Sequence, residues 1–132
     1  GVFTKISPKK DVIKDIKKGQ KILEHISKFD IGQSIIIQKG NVVGIECVQG
    51  TDFLIKTSKN YLVNDTNAIL VKSTKQKQDL RVDLPTVGIK TMENCKKSNI
   101  YGLAFCANNT IFLDVKKIIS YCNKNKLFLI GV

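Results

Sequence analysis

Apolar positions along the chain fall into helical stripes in some stretches and short unbroken runs in others, and their succession predicts the elements. Val12, Ile13, Ile16, Ile22, Leu23 and Ile26 recur at helical spacing, so residues 8–28 are expected to form one helix, with Ser7 as its cap and Pro8 in its first turn. Its other side carries Lys10, Lys14, Lys17, Lys18, Lys21 and Lys28, the pattern of a solvated face, and Gly19 is expected to weaken it locally. Two apolar runs, 34–38 and 42–48, flank Lys39-Gly40-Asn41 and predict a β-hairpin. Gly50-Thr51-Asp52 ahead of Phe53-Leu54-Ile55 predicts a strand-to-helix transition, and the polar stretch 56–67 a helix end and a loop. Residues 68–72 read as a short buried strand, and 89–98 as a helix with Met92 and Cys95 inward.

Downstream, 101–107 is expected to be a strand that Asn108-Asn109-Thr110 turns back onto a partner at 111–113, making a second hairpin. Asp114 can cap a helix with the stripe Val115, Ile118, Ile119 and Cys122, and 127–130 is the closing strand. Strands thus alternate with helices. The fold class predicted is α/β, a mixed sheet flanked by helices with inserted β-hairpins, in a single domain over residues 1–132.

Charge narrows the choice of partners. The formal net charge is +11, and Arg81 is the one arginine among 22 basic residues. Lysines spread from Lys5 to Lys126 without interleaved aromatics, and scarce arginine, argue against a nucleic-acid reader. Such a surface would still draw a phosphate-bearing ligand or an anionic leaflet. No run of about 18 apolar residues offers a membrane span, and no apolar segment at the N-terminus marks a secretory signal. The cysteines at 47, 95, 106 and 122 form no C-x-x-C pair, and His25 is the one histidine. That is no zinc pattern; buried free thiols in a reducing compartment are expected instead. Because the chain opens on Gly1, a fragment of a longer protein is the expectation.

Candidate chemistry lies in two places. Asp79, Arg81 and Asp83 alternate with Leu80, Val82 and Leu84, so they share one face if the segment is extended, and Pro85 favours extension. Two carboxylates flanking an arginine suit metal-assisted phosphoryl chemistry, and equally suit a surface ion-pair row on an edge strand. Gly50-Thr51-Asp52 at a helix start could bind an anion through backbone amides, or be an ordinary cap. Lys72, ending one strand, and Glu46, late in another, could reach the same side. No Walker loop, dinucleotide glycine motif, nucleophile elbow or histidine pair is present, which makes nucleophilic catalysis an unfavoured class.

Taken together, Gly32-Gln33-Ser34, Val43-Gly44-Ile45-Glu46, the Gly-Thr-Asp at 50–52, the block Gln78-Asp79-Leu80-Arg81-Val82-Asp83-Leu84-Pro85-Thr86-Val87-Gly88 and the ending Leu127-Phe128-Leu129-Ile130-Gly131-Val132 resemble the C-terminal domain of LpxI-type UDP-2,3-diacylglucosamine pyrophosphatases. The resemblance runs from about Ser7 to Val132. It implies a Mg²⁺-dependent hydrolase that splits UDP-2,3-diacylglucosamine into UMP and lipid X in lipid A biosynthesis. By motif, Asp83 is the catalytic residue, Asp79 and Asp83 are the metal carboxylates, and Gly50, Thr51, Asp52, Lys72, Arg81 and Thr86 bind substrate. The partners implied are the UDP-linked diacylated lipid, an N-terminal domain of the same enzyme and the anionic inner-membrane surface, with no nucleic acid; a homodimer is compatible. The location implied is the cytoplasm, at or near that membrane. A non-catalytic domain binding a phosphorylated lipid or nucleotide is the alternative.

Overall fold

The computed structural model describes residues 1–73 and 86–132. Helix α1 spans Lys10–Ser27 and buries Val12, Ile16 and Leu23. It begins two residues later than expected: Lys9 holds the cap position in extended geometry, its side chain carries no acceptor, and no side chain caps the helix. Strands β1 (Ser34–Gln38) and β2 (Asn41–Ile45) form the first hairpin. Lys39 and Gly40 in its two-residue turn both have positive φ, 51° and 78°, the geometry that matches the strands' twist. Helix α2 (Thr51–Ser58) and a 3₁₀ turn over Lys59–Tyr61 lead to β3 (Ile69–Lys72). Then come β4 (Thr86–Val87), α3 (Ile89–Lys97), β5 (Gly102–Phe105), β6 (Ile111–Phe112), α4 (Val115–Lys124) and β7 (Phe128–Gly131).

Among the described residues the main sheet has the order β2-β1-β3-β5-β7. β1 runs antiparallel to β2 and β3, whereas β3, β5 and β7 are parallel, so the sheet is mixed. Successive side chains leave a strand on opposite faces. Accordingly Ile35, Ile37, Ile69 and Val71 pack under α1, while Ile36, Leu70, Leu103 and Leu129 join a core with α2, α3 and α4. Gly19 leaves α1 intact and serves the packing, since a Cβ there would stand 2.9 Å from Val71 Cγ2.

The second hairpin does not form. β6 pairs in parallel with β4 instead, Thr86 opposite Ile111 and Val87 opposite Phe112. The reason is occupancy: β5 already has β3 on one edge and β7 on the other. Asp114 caps α4 as expected, accepting from the Lys117 amide at 3.3 Å, but Val115 faces outward. At the opposite margin the N-terminal amino group donates to the Gly131 carbonyl at 2.9 Å, and Val2 bridges Ile130.

Two of the four thiols also depart from expectation. Cys95 and Cys122 are buried, but Cys47 is exposed and Cys106 half-buried, because β2 ends at Ile45 and β5 at Phe105 and both cysteines fall beyond them. Burial pushes the Cys122 thiol from 9.0 up to about 11 and the Cys95 thiol higher still. A thiol that resists ionisation in the fold contributes stability below its unfolded pKa and loses it as pH rises through the folded one. Denaturant melts should therefore show the wild type losing on the order of 2 kcal/mol between about pH 9 and pH 11 relative to Cys122→Ala. Parallel stability curves for the two proteins would contradict this account.

Candidate functional site at the carboxyl edge of the sheet

The parallel strands β3, β5 and β7 end at the same margin, and the antiparallel β1 begins there, with Ser34 paired across from Lys72. In open sheets this edge is where ligands collect. Ser34 is fully buried and Lys72 is 7% exposed. The Lys72 ammonium donates to Thr51 Oγ1 at 3.0 Å, and that hydroxyl lies 3.4 Å from Ser34 Oγ. A hydroxyl pair thus holds a nearly dehydrated cation.

Thr51 occupies this position because Gly50 turns the chain just before it. Gly50 has φ 87° and ψ 170°, a conformation that essentially only glycine adopts. The Leu54 amide is the first in α2 to bond back, to the Gly50 carbonyl at 3.2 Å. The amides of Thr51, Asp52 and Phe53 therefore have no acceptor within the helix, and among the described residues no side chain caps it. They form the positive end of the α2 dipole, and the Thr51 hydroxyl meets Lys72 there.

Two carboxylates frame this cation. Glu46 Oε1 accepts from the Gln33 amide at 3.3 Å, and Asp52 Oδ1 accepts from Asn94 Nδ2 at 3.4 Å. Burial lowers the Lys72 pKa below that of an ordinary lysine, while Glu46 and Asp52 pull it partly back. Gly32 makes the Glu46 position attainable: any Cβ on it would collide with the Glu46 carbonyl oxygen. From Asp52 and Asn94 a groove of about 910 Å³ runs between α2 and α3, with Lys56, Lys59, Lys90 and Lys97 on its walls.

The expected site residues separate into three groups. Gly50, Thr51, Asp52 and Lys72 come together, with Glu46 at the same edge. Thr86 is exposed at the start of β4, in the small second sheet. Asp79, Arg81 and Asp83 lie outside the described residues. Ser34 and Asn94 belong to the cluster and were not singled out from sequence; the lone polar residue opening the run Ser34-Ile35-Ile36-Ile37 was the available signal for the first.

Among the described residues no group of three or more His, Cys, Asp or Glu side chains could hold a metal ion. Mg²⁺ needs fewer protein ligands, often one or two carboxylates plus substrate phosphate. The oxygen donors at this edge are of the right kind, and the Lys72 cation stands among them between the two carboxylates.

These features define a class, an α/β domain with an anion-suited cluster at the carboxyl edge of a mixed sheet. Within that class the chain belongs to the family described as LpxI C-terminal domain, which it matches over residues 1–130. It is 28% identical over 138 aligned residues to the UDP-2,3-diacylglucosamine pyrophosphatase LpxI of Caulobacter vibrioides, a match covering all of this chain and 49% of that protein. The chain thus spans about half the length of this relative.

Lys72 supplies a test of the cluster. Its folded pKa lies below the unfolded value, so the fold is penalised at neutral pH and recovers as pH rises toward 10.5. Lys72→Met, which keeps the length and drops the charge, should be about 1–2 kcal/mol more stable at pH 7. The gap should narrow at alkaline pH, and added inorganic phosphate should raise the melting temperature of the wild type alone. A destabilised variant, or one stabilised equally by phosphate, would show that Lys72 is a structural cation rather than a ligand-binding one.

Proposed function

We propose that this chain is the catalytic half of a pyrophosphatase acting on UDP-2,3-diacylglucosamine, releasing UMP and lipid X in lipid A biosynthesis. The observation that supports it most is the family match across nearly the whole chain, joined to a buried cation and, among the described residues, uncapped helix amides at one edge. A pyrophosphate is the kind of ligand that such an edge suits: Lys72, the Thr51 hydroxyl and the first amides of α2 would neutralise and orient its non-bridging oxygens.

In this proposal Asp83 is the catalytic carboxylate and Asp79 its neighbour at the metal, with Arg81 and Thr86 on the substrate. Residues 74–85 follow Ser73, which itself follows Lys72. A bound Mg²⁺ would supply charge neutralisation on the pyrophosphate, with Asp79 and Asp83 as its protein ligands. Asp83, a carboxylate two residues from Arg81 in sequence, would orient the attacking water or accept its proton. Asp52, held by Asn94, would keep the substrate side of α2 in place.

The relative's greater length supports an N-terminal domain as the natural partner, contributing the rest of the substrate's enclosure. The charge balance supports a cytoplasmic enzyme working near an anionic leaflet. The full-length protein that contains this chain, carrying Asp83→Asn, should keep its melting temperature and lose at least about 10²-fold in hydrolysis. Activity of the parent protein should require Mg²⁺. Retained turnover in Asp83→Asn would overturn the catalytic assignment, and substrate binding with no hydrolysis under any metal condition would identify a binding domain instead.

A further inference from the structure

Among the described residues α1 is the one helix on its side of the sheet. α2, α3 and α4 share the core of the opposite face, whereas the core under α1 is built from α1 and the strands. The helix is about 27 Å long for its 18 residues. Lys10, Lys14, Lys17 and Lys21 succeed one another at intervals of four, three and four residues along that surface, Lys28 continues the line just past the helix end, and all five are exposed. Residues at these intervals lie on one side of a helix. Asp15 points inward and is 7% exposed, whereas Asp11 and Glu24 are exposed beside these lysines, so five lysines against two acids leave this face with a net positive charge.

Among the described residues none of these five lysines forms an ion pair. Among the described residues the one ion pair is Lys39 with Asp65, at 3.1 Å. A net positive face along one helix attracts an extended anionic surface.

At the C-terminal end of α1 the surface changes character. Phe29 is 68% exposed and Ile31 is exposed too, and Lys28 Nζ lies 5.4 Å over the Phe29 ring. Basic residues flanked by exposed large apolar ones distinguish a lipid interface from a nucleic-acid groove, which would call for arginine and base-edge donors. The chain passes from Phe29 and Ile31 straight to Gly32 and Ser34, the margin where Lys72 and Thr51 meet.

We propose that the outward face of α1 is a docking surface for an anionic lipid leaflet, with Phe29 and Ile31 as the apolar tip at the leaflet. The assignment stands on the charge and exposure of α1. Its consequence, that docking brings the carboxyl edge of the sheet beside the lipid, rests on the proposed lipid substrate. Recruitment from the surface would then need no long excursion of the acyl chains through water.

Sedimentation with vesicles tests this without any turnover, so its failure is separate from failure of the hydrolase assignment. The chain should bind phosphatidylcholine vesicles containing roughly 30% phosphatidylglycerol at about 0.1 M salt, ignore pure phosphatidylcholine, and be released at about 0.5 M salt. Each lysine at the surface contributes about fivefold, so replacing Lys10, Lys14, Lys17 and Lys21 together by Gln should weaken binding by two to three orders of magnitude. Replacing Lys90, Lys97, Lys116 and Lys124 on the opposite flank by Gln removes the same charge and should leave binding within a few-fold. Phe29→Ala should weaken it further without changing its salt dependence. All eight lysines are exposed, and unchanged melting temperatures check that the variants fold. Equal loss from both sets of four would reduce the effect to net charge and overturn the α1 assignment. Binding to neutral vesicles, or tighter binding to duplex nucleic acid through the same four lysines, would overturn the lipid one.

Discussion

Four residues, Ile69 to Lys72, set the conditions for everything around them. β3 is hydrogen-bonded along both edges, by β1 and β5, and covered on both faces. Ile69, Leu70 and Val71 are fully buried, and the strand keeps that dryness up to its last residue, which is a lysine. A charge at the end of so enclosed a strand must find partners at the margin or pull the strand out of register. Ser34 and Thr51 belong at the margin for that reason: the Thr51 hydroxyl accepts a hydrogen bond from the ammonium, and the Ser34 hydroxyl stands beside it across the sheet register. The site is thus a boundary condition of the core.

Much of the architecture was legible because a helical stripe is written plainly in α1 and short unbroken apolar runs in the first hairpin and around Leu70 and Leu129. What failed did so for reasons that no local window contains. The strand at Ile111–Phe112 has the letters of a hairpin partner, and only the occupied edges of β5 send it to β4 instead. Cys47 and Cys106 sit in apolar company in the chain but just past the residue where their strands stop. Ser7 looks like a cap, yet the helix starts after Lys9, so its hydroxyl lies too far upstream to serve the first amides.

The site was half legible for a related reason. A glycine before Thr51 and Asp52 marks a helix start, and a lysine after an apolar run marks a strand end; both are local. That Ser34 pairs across from Lys72, that Asn94 reaches Asp52, and that Gly32 lets Glu46 come close are facts of register and of contact between elements. Family resemblance carries such facts implicitly, as an order of blocks. It names Asp83 and its neighbours, which lie outside the described residues, where local periodicity left a catalytic row and a surface ion-pair row both open.

The first residues run antiparallel beside β7, where the Phe3 amide donates to the Leu129 carbonyl at 2.8 Å and the Gly131 amide donates to the Gly1 carbonyl at 2.9 Å. The outer edge of β7 is thereby occupied, so this margin of the sheet is not left as an open template on which a strand of another molecule could pair.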